Sequence, residues 1–137
     1  MRISRLDYDT TAVVAVDGYL GGAYAGELEN YLAPMLGGRG PHHIVIDLAG
    51  VTEMSSAGLR VLISAIKRVR SSKSGDIRLA APSQRVVEVL ELAGLSTVIQ
   101  VYPSRAEGVA SFALPASGPG SRHPPPHFQK EIQRSQT

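Results

Sequence analysis

The chain has 137 residues, enough for one domain with its own apolar core, and its lack of cysteine excludes disulfides, thiolate metal ligands and a cysteine nucleophile. No apolar run reaches the roughly 18 residues of a membrane span and no signal-peptide pattern opens the sequence, so we expect a cytoplasmic protein that does not enter a membrane. The net charge of +2 arises beyond residue 114, and because Lys and Arg are not clustered with stacking aromatics, we expect no direct binding to nucleic acid.

Strand and helix patterns alternate in the first half of the chain. Residues 2–8 and 12–18 are predicted strands joined by a short turn, so they can pair as a hairpin. Apolar residues at helical spacing predict a helix over 23–36, which a pair of glycines ends. Residues 43–48 then form a short apolar run that is typical of a buried strand.

The second half continues the alternation. A helix is predicted from about Ala57 to Lys73, followed by a strand over 76–81. The apolar stripe of that helix consists of Leu59, Leu62, Ile63, Ile66 and Val69. A third helix is predicted between Ser83 and Gly94, and a last strand over 97–101. Ser104 is predicted to cap a final short helix that runs to about Ala113.

The order β-β-α-β-α-β-α-β-α predicts the fold class. Strands separated by helices favour parallel crossovers, so we expect a single α/β domain with a mixed, mostly parallel five-stranded sheet and about four helices. This domain should span residues 1–114. Residues 115–137 are rich in Pro, Gly and Ser and basic overall, which predicts a disordered tail. A short binding motif around Phe128 is the functional alternative for that tail.

Enzyme and metal signatures are weak. The segment Met54–Gly58 partly matches the nucleophile elbow G-x-S-x-G, but Met54 replaces the first glycine and no suitable base is apparent. The histidines, none of them well placed for catalysis or for a shared metal, are His42, His43, His123 and His127. Asp47 and Glu53 could lie near each other, yet carboxylates around a loop are more often solvated or capping than catalytic. We therefore expect no catalytic residue, no metal and no cofactor.

The segment from Val45 to Leu62 carries the most information. An apolar strand ends in Asp47, a glycine-valine turn follows, and Ser-Ser-Ala-Gly-Leu at 55–59 opens an amphipathic helix. This arrangement resembles the STAS family, the sulfate-transporter and anti-sigma-factor-antagonist domains. The resemblance continues downstream, covers roughly residues 2–113 and implies the mixed α/β fold described above.

The resemblance also implies a function. In partner-switching members, an anti-sigma factor that is also a serine kinase phosphorylates the serine at this helix start, and a serine phosphatase reverses the modification. The unmodified protein binds the anti-sigma factor and releases the sigma factor. Residue by residue, Ser56 falls on the phospho-acceptor, and Ser55, the alternative acceptor, replaces the family's Asp. The implied docking residues are Thr52, Glu53, Met54, Ser55, Ser56, Ala57, Gly58 and Arg60.

Other interpretations stay open. Serines at a helix start are ordinary N-caps, each contributing about 1 kcal/mol. The chain could then be a STAS scaffold that is never phosphorylated, or a nucleotide-binding regulatory module in a larger assembly. For the leading interpretation we expect a monomer or weak dimer.

Overall fold

In the computed structural model of the protein, the described residues are 1–8, 10–36, 43–71 and 75–113. The predictions for the tail over 115–137, and with them the boundary at residue 114, lie outside this part of the chain and stay predictions. So do those for His42, His123 and His127.

The observed elements follow the predicted order. The strands are β1 (Arg2–Tyr8), β2 (Thr11–Leu20), β3 (His43–Met54), β4 (Asp76–Ala80) and β5 (Val101–Tyr102). The helices are α1 (Ala23–Leu32), α2 (Ser56–Ser71), α3 (Gln84–Leu92) and α4 (Arg105–Ala113). Two short 3₁₀ turns, Ala33–Met35 and Leu95–Thr97, complete the described part. The predicted fold class is confirmed.

The five strands lie in the sheet in the order of the sequence. β1 and β2 form the predicted antiparallel hairpin, and every later neighbour is parallel. Because parallel crossovers are right-handed and the strand order advances in one direction, α1, α2 and α3 must all lie on the same face of the sheet. α4 follows the last strand and packs on the opposite face, against a separate small apolar cluster.

The face under α1, α2 and α3 holds the main core. The fully buried side chains of this core include Leu20, Leu28, Leu32, Ile44, Ile46, Leu48, Leu62, Ile77, Leu79 and Leu90. In α2 the buried stripe is centred on Val61 and Ala65, whereas the predicted members Leu59 and Ile63 are only partly buried at its edges. The predicted stripe was therefore displaced by part of a helical turn.

Helix α1 ends earlier than the predicted position 36. It stops at Leu32, and Pro34 lies in the 3₁₀ turn that follows. Proline has no N–H to donate, and inside an α-helix its ring would clash with the carbonyl four residues earlier. The turn still buries Met35, so the apolar pattern continues where the helix does not.

Strand β3 is longer than the predicted 43–48. It continues through residues 49–54, where the sequence analysis placed a loop, and Met54 pairs with Leu20 at its end. The pairing with β2 is irregular, with register shifts between Ala15 and Asp17 and after Gly18. Such irregularity breaks the simple alternation that a sequence pattern can show.

The last strand was predicted at the wrong place. Residues 95–97 form a 3₁₀ turn after the left-handed Gly94, at φ 73°, and only Val101 and Tyr102 pair with β4. Leu95 and Ile99 are nevertheless buried. Their spacing of four residues fills the core from a turn, which explains why an apolar run here resembles a strand.

Candidate functional site

Three loops meet at the carboxyl edge of the parallel strands. β2 leads into α1 after Leu20, β3 leads into α2 after Met54, and β4 leads into α3 after Ala80. In open α/β sheets this edge is where ligands and partners commonly bind, because helix starts and loops converge there. The start of α2, predicted as the functional segment, lies in the middle of this edge.

Ser55 is the N-cap of α2. Its Oγ accepts hydrogen bonds from the N–H groups of Ala57 at 3.1 Å and Gly58 at 3.4 Å. Its own N–H donates to the carbonyl of Leu20 at 3.0 Å, and its carbonyl accepts from the N–H of Leu59 at 3.0 Å. Ser55 therefore connects α2 to the end of β2, as a capping residue does.

Ser56 occupies the first position of α2 and is exposed. Among the described residues, its hydroxyl has no hydrogen-bond partner, in contrast to the neighbouring Ser55. The two adjacent serines thus differ in availability. The Ser55 hydroxyl caps the helix, whereas Ser56 is exposed and its hydroxyl is available for modification.

Two glycines permit the close seating of α2. A Cβ on Gly58 would run into the carbonyl oxygen of Leu20 and lie 2.8 Å from its Cγ. A Cβ on Gly21 would run into Ser55 Oγ and lie 2.7 Å from Cζ of Tyr19. No side chain fits at either position without movement, so the glycines place the helix start directly against the β2–α1 loop.

The remaining predicted docking residues divide into exposed and buried ones. Thr52, Glu53 and Arg60 are exposed, and Glu53 Oε2 accepts from Arg85 Nη1 at 3.0 Å. Met54 is only 6% exposed and belongs to the main core. Its side chain is therefore not available to a partner. Gly58 and Ala57 contribute to the seating of the helix rather than to an exposed surface, Gly58 being buried and Ala57 partly buried.

Sequence reasoning missed three exposed side chains on the same edge. Tyr19 and Tyr24 are 43% and 42% exposed on either side of the Gly21–Gly22 turn, and Arg85 lies at the start of α3. Large exposed aromatics, here at the end of β2 and the start of α1, are typical contributors to protein interfaces. The sequence did contain a signal for these aromatics: one tyrosine precedes, and another follows, the glycine pair at the end of a predicted strand.

Asp47 and Glu53 do not form a catalytic pair; each carboxylate is held by a different arginine. Asp47 is nearly buried and accepts from Arg105 Nε at 2.8 Å and from the N–H of Ala49 at 2.9 Å. Hydrogen bonds to Asp47 and then to Tyr8 raise the pKa of Arg105 above its ordinary value, against a smaller opposing effect of burial. Asp47 is thus a structural anion that fastens α4.

The described residues contain neither a cluster of metal ligands nor a helix that could span a membrane. Within residues 1–8, 10–36, 43–71 and 75–113, no three His, Asp or Glu side chains come together as a metal site would require. His43 stacks on Phe112, with ring centroids 4.3 Å apart, on the α4 face. None of the helices in the described part of the chain has the length and apolar character needed to cross a bilayer.

Comparison with known proteins shows which family the sequence and fold resemble. The family model for the STAS domain matches residues 3–108. BtrV of Bordetella bronchiseptica, assigned as an anti-sigma factor antagonist, is 32% identical over 117 residues, which is 84% of this chain and 99% of BtrV. That relative is matched along almost its whole length.

Solved structures share the fold. An anti-sigma factor antagonist from Mycobacterium paratuberculosis superposes with a TM-score of 0.74 at 24% identity, covering 80% of this chain and 92% of the other. The unphosphorylated anti-sigma factor antagonist SpoIIAA gives 0.71 at 16% identity, covering 82% and 96%. The phosphorylated form of SpoIIAA, from Bacillus, gives 0.66 at 14% identity, covering 81% and 99%. At these identities the likeness establishes the fold alone.

Proposed function

The chain belongs to the STAS domain family, and from this membership we propose that it is an anti-sigma factor antagonist controlled by phosphorylation of Ser56. STAS antagonists are regulatory binding proteins, not enzymes. In the proposed cycle, the unmodified protein binds a cytoplasmic anti-sigma factor and thereby releases the sigma factor. The anti-sigma factor, acting as a serine kinase, then modifies the antagonist, and a serine phosphatase restores it.

The observation that carries this proposal is the division of roles between the two serines. Ser55 Oγ accepts hydrogen bonds from two backbone N–H groups, so moving this oxygen into the active site of a kinase would break the N-cap of α2. Ser56 is exposed and makes no hydrogen bond within the described residues. A kinase can reach the second hydroxyl without disturbing the fold, which favours Ser56 over Ser55 as the acceptor.

The chemistry of the switch is a phosphoryl transfer. Ser56 Oγ forms the new bond to the γ-phosphorus of ATP, the bond from that phosphorus to ADP breaks, and the hydroxyl proton passes to a base supplied by the kinase. The product carries about −1.5 to −2 charges near neutral pH on a surface that was neutral at this point. If that surface is desolvated against the anti-sigma factor, negative charge that is not fully compensated costs a few kcal/mol, about a hundredfold or more in affinity.

The exposed tyrosines support the docking half of the proposal. Tyr19 and Ser55 both lie close to Gly21, so an aromatic side chain is near the residue that precedes the acceptor. A partner that covers Ser56 would therefore also cover apolar area, as stable interfaces require. The alternative of nucleotide binding at the α2 start is less well supported, because the N–H groups of Ala57, Gly58 and Leu59 already have acceptors.

The test compares wild type, Ser56→Ala and Ser56→Asp. Intact-mass analysis after incubation with ATP and the cognate anti-sigma factor should show one phosphate on wild type and none on Ser56→Ala. Calorimetric binding should give similar affinity for wild type and Ser56→Ala, and a large loss for Ser56→Asp. Ser55→Ala serves as the matched control and should still accept the phosphate.

Two results would reject the proposal in different ways. If all three proteins bind alike and none is phosphorylated, Ser56 is a surface residue of a constitutive scaffold. If Ser56→Ala is modified and Ser55→Ala is not, the acceptor is Ser55 and the role assigned to Ser56 is wrong.

A further inference from the structure

Arg60 lies one helical turn beyond Ser56 on α2. Residues four apart on a helix share a face, with Cβ atoms about 5–6 Å apart. Helical Cα–Cβ bonds tilt toward the N-terminus, so the Arg60 side chain leans toward the Ser56 end of the helix. Both residues are exposed. The helix therefore places Arg60 one turn from Ser56 on the same face, so that its flexible side chain can reach a group on the Ser56 hydroxyl without the participation of any other element.

Among the described residues, Arg60 makes no hydrogen bond and no ion pair. The nearby Arg85 is engaged, because its Nη1 donates to Glu53 at 3.0 Å. Exposed arginines without a partner are common. Arg60 is of interest because the Ser56 hydroxyl lies one helical turn away.

Three backbone N–H groups at the helix start are already engaged and are not ready partners for an anion on Ser56. The N–H groups of Ala57 and Gly58 donate to Ser55 Oγ, and that of Leu59 donates to the Ser55 carbonyl. A phosphoryl group at position 56 would have to displace the cap to use them. A side-chain cation on the same helix face needs no such rearrangement and, unlike a backbone N–H group, brings a full positive charge.

We propose that Arg60 is the intramolecular partner of a phosphoryl group on Ser56, forming a charge-assisted pair along the first turn of α2. Guanidinium and phosphate match in geometry as well as in charge. The inference rests on the proposed function and deepens it: phosphorylation both adds a negative charge to the docking face and engages an arginine that is otherwise exposed there.

The experiment uses the full chain with phosphoserine installed at position 56 during synthesis, so that no kinase is needed. The second ionisation of the phosphate is followed by ³¹P NMR in wild type, in Arg60→Gln and in Arg68→Gln. Arg68 is the matched control, since it is exposed on the same helix about 12 Å further along the axis. Unmodified samples of all three confirm that each melts cooperatively.

A neighbouring cation favours the dianion, so Arg60→Gln should raise the second phosphate pKa by about half a unit relative to wild type. Arg68→Gln should leave it unchanged, and added salt should reduce the difference. The proposal is overturned if Arg60→Gln titrates like wild type, or if Arg68→Gln shifts the phosphate equally. Failure of the anti-sigma factor to modify Ser56 would instead reject the proposed function, and the titration would be unaffected by it.

Discussion

The two faces of the sheet are held in different ways. Under α1, α2 and α3 lies a continuous apolar core that draws side chains from these three helices and from the three central strands. Under α4 the buried apolar cluster is small: among the described residues it contains Val13, Val45 and Ala80, with Val109 and Phe112 packed against it. Polar contacts complete that second face, among them the Asp47–Arg105 pair and Arg78, whose guanidinium lies 3.9 Å from the Phe112 ring centroid.

The difference teaches which face can carry the function. Apolar burial is non-directional and large, so the three-helix face supplies most of the stability. The start of α2, with Ser56, lies at the carboxyl edge of this face. Ser55 and Gly58 anchor this helix start to β2. The α4 face depends on directional contacts that are individually modest. Substitutions on the two faces should therefore separate stability, docking and local order of α4.

The largest expected effect is loss of packing on the three-helix face. Leu62→Ala removes a fully buried side chain of α2 and should lower the free energy of unfolding by about 3 kcal/mol, because the cavity collapses only partly. Urea denaturation measures it. Leu92→Ala, at a position 89% exposed, is the control and should cost almost nothing. A cost for Val109→Ala on the α4 face equal to that of Leu62→Ala would contradict the comparison.

Gly58→Ala tests the seating of α2 on β2. Alanine is a better helix former by about 1 kcal/mol, but its Cβ would collide with the Leu20 carbonyl, and overpacking of this kind typically costs about 1–3 kcal/mol. We expect a net loss of up to about 2 kcal/mol in unfolding free energy. Gly26→Ala in α1 is the matched control, since nothing lies within 4 Å of its Cβ position, and it should stabilise. Stabilisation by both substitutions would refute the seating argument.

Tyr19→Ala separates docking from stability at the same carboxyl edge. Tyr19 is 43% exposed, so its loss should change the unfolding free energy little. Affinity for the anti-sigma factor should fall about tenfold or more, as expected for an aromatic at the centre of an interface. Calorimetric titration measures it, with Leu92→Ala as an exposed apolar control that should bind like wild type. Equal affinity of the two variants would exclude Tyr19 from the interface.

The same contrast explains what the sequence could predict. Main-core elements such as β3 and α2 carry strong apolar patterns, so their type and order were correct. Errors occurred where a local rule interrupts the pattern, as at Pro34 and at the turn after Gly94. The Asp47–Arg105 and Glu53–Arg85 pairs join residues 58 and 32 positions apart. No local pattern encodes contacts across such separations. Tyr19 and Tyr24 are a different case, because the local pattern that marks them, a tyrosine on each side of a glycine pair, was present and was overlooked.

Arg105→Gln tests the polar fastening of α4. The substitution leaves the nearly buried Asp47 carboxylate without its charged donor, which should cost about 1–2 kcal/mol. Amide hydrogen exchange should accelerate in α4 and remain slow in α2, and binding to the anti-sigma factor should not change. Equal acceleration in both helices would show that α4 is not an independent layer.

The same pair gives a pH prediction. The pKa of Arg105 is raised in the folded protein, chiefly by its hydrogen bond to Asp47. A raised pKa of a cationic group contributes stability that is fully present below its ordinary value and is lost only as pH rises through the folded value. Wild type should therefore lose no stability through Arg105 between neutral and moderately alkaline pH. A difference between wild type and Arg105→Gln that shrinks steadily from pH 7 to 9 would contradict this assignment.

The smallest effects distinguish the two serines of the α2 start. Ser55→Ala removes the acceptor of two backbone N–H groups and should cost about 1 kcal/mol, whereas Ser56→Ala removes an exposed hydroxyl and should cost close to zero. Thermal and urea unfolding of the two variants measured side by side give the difference. Equal costs would mean that both serines cap the helix. A kinase would then have to disturb the helix start at either position, and the structural reason for preferring Ser56 as the phospho-acceptor would be lost.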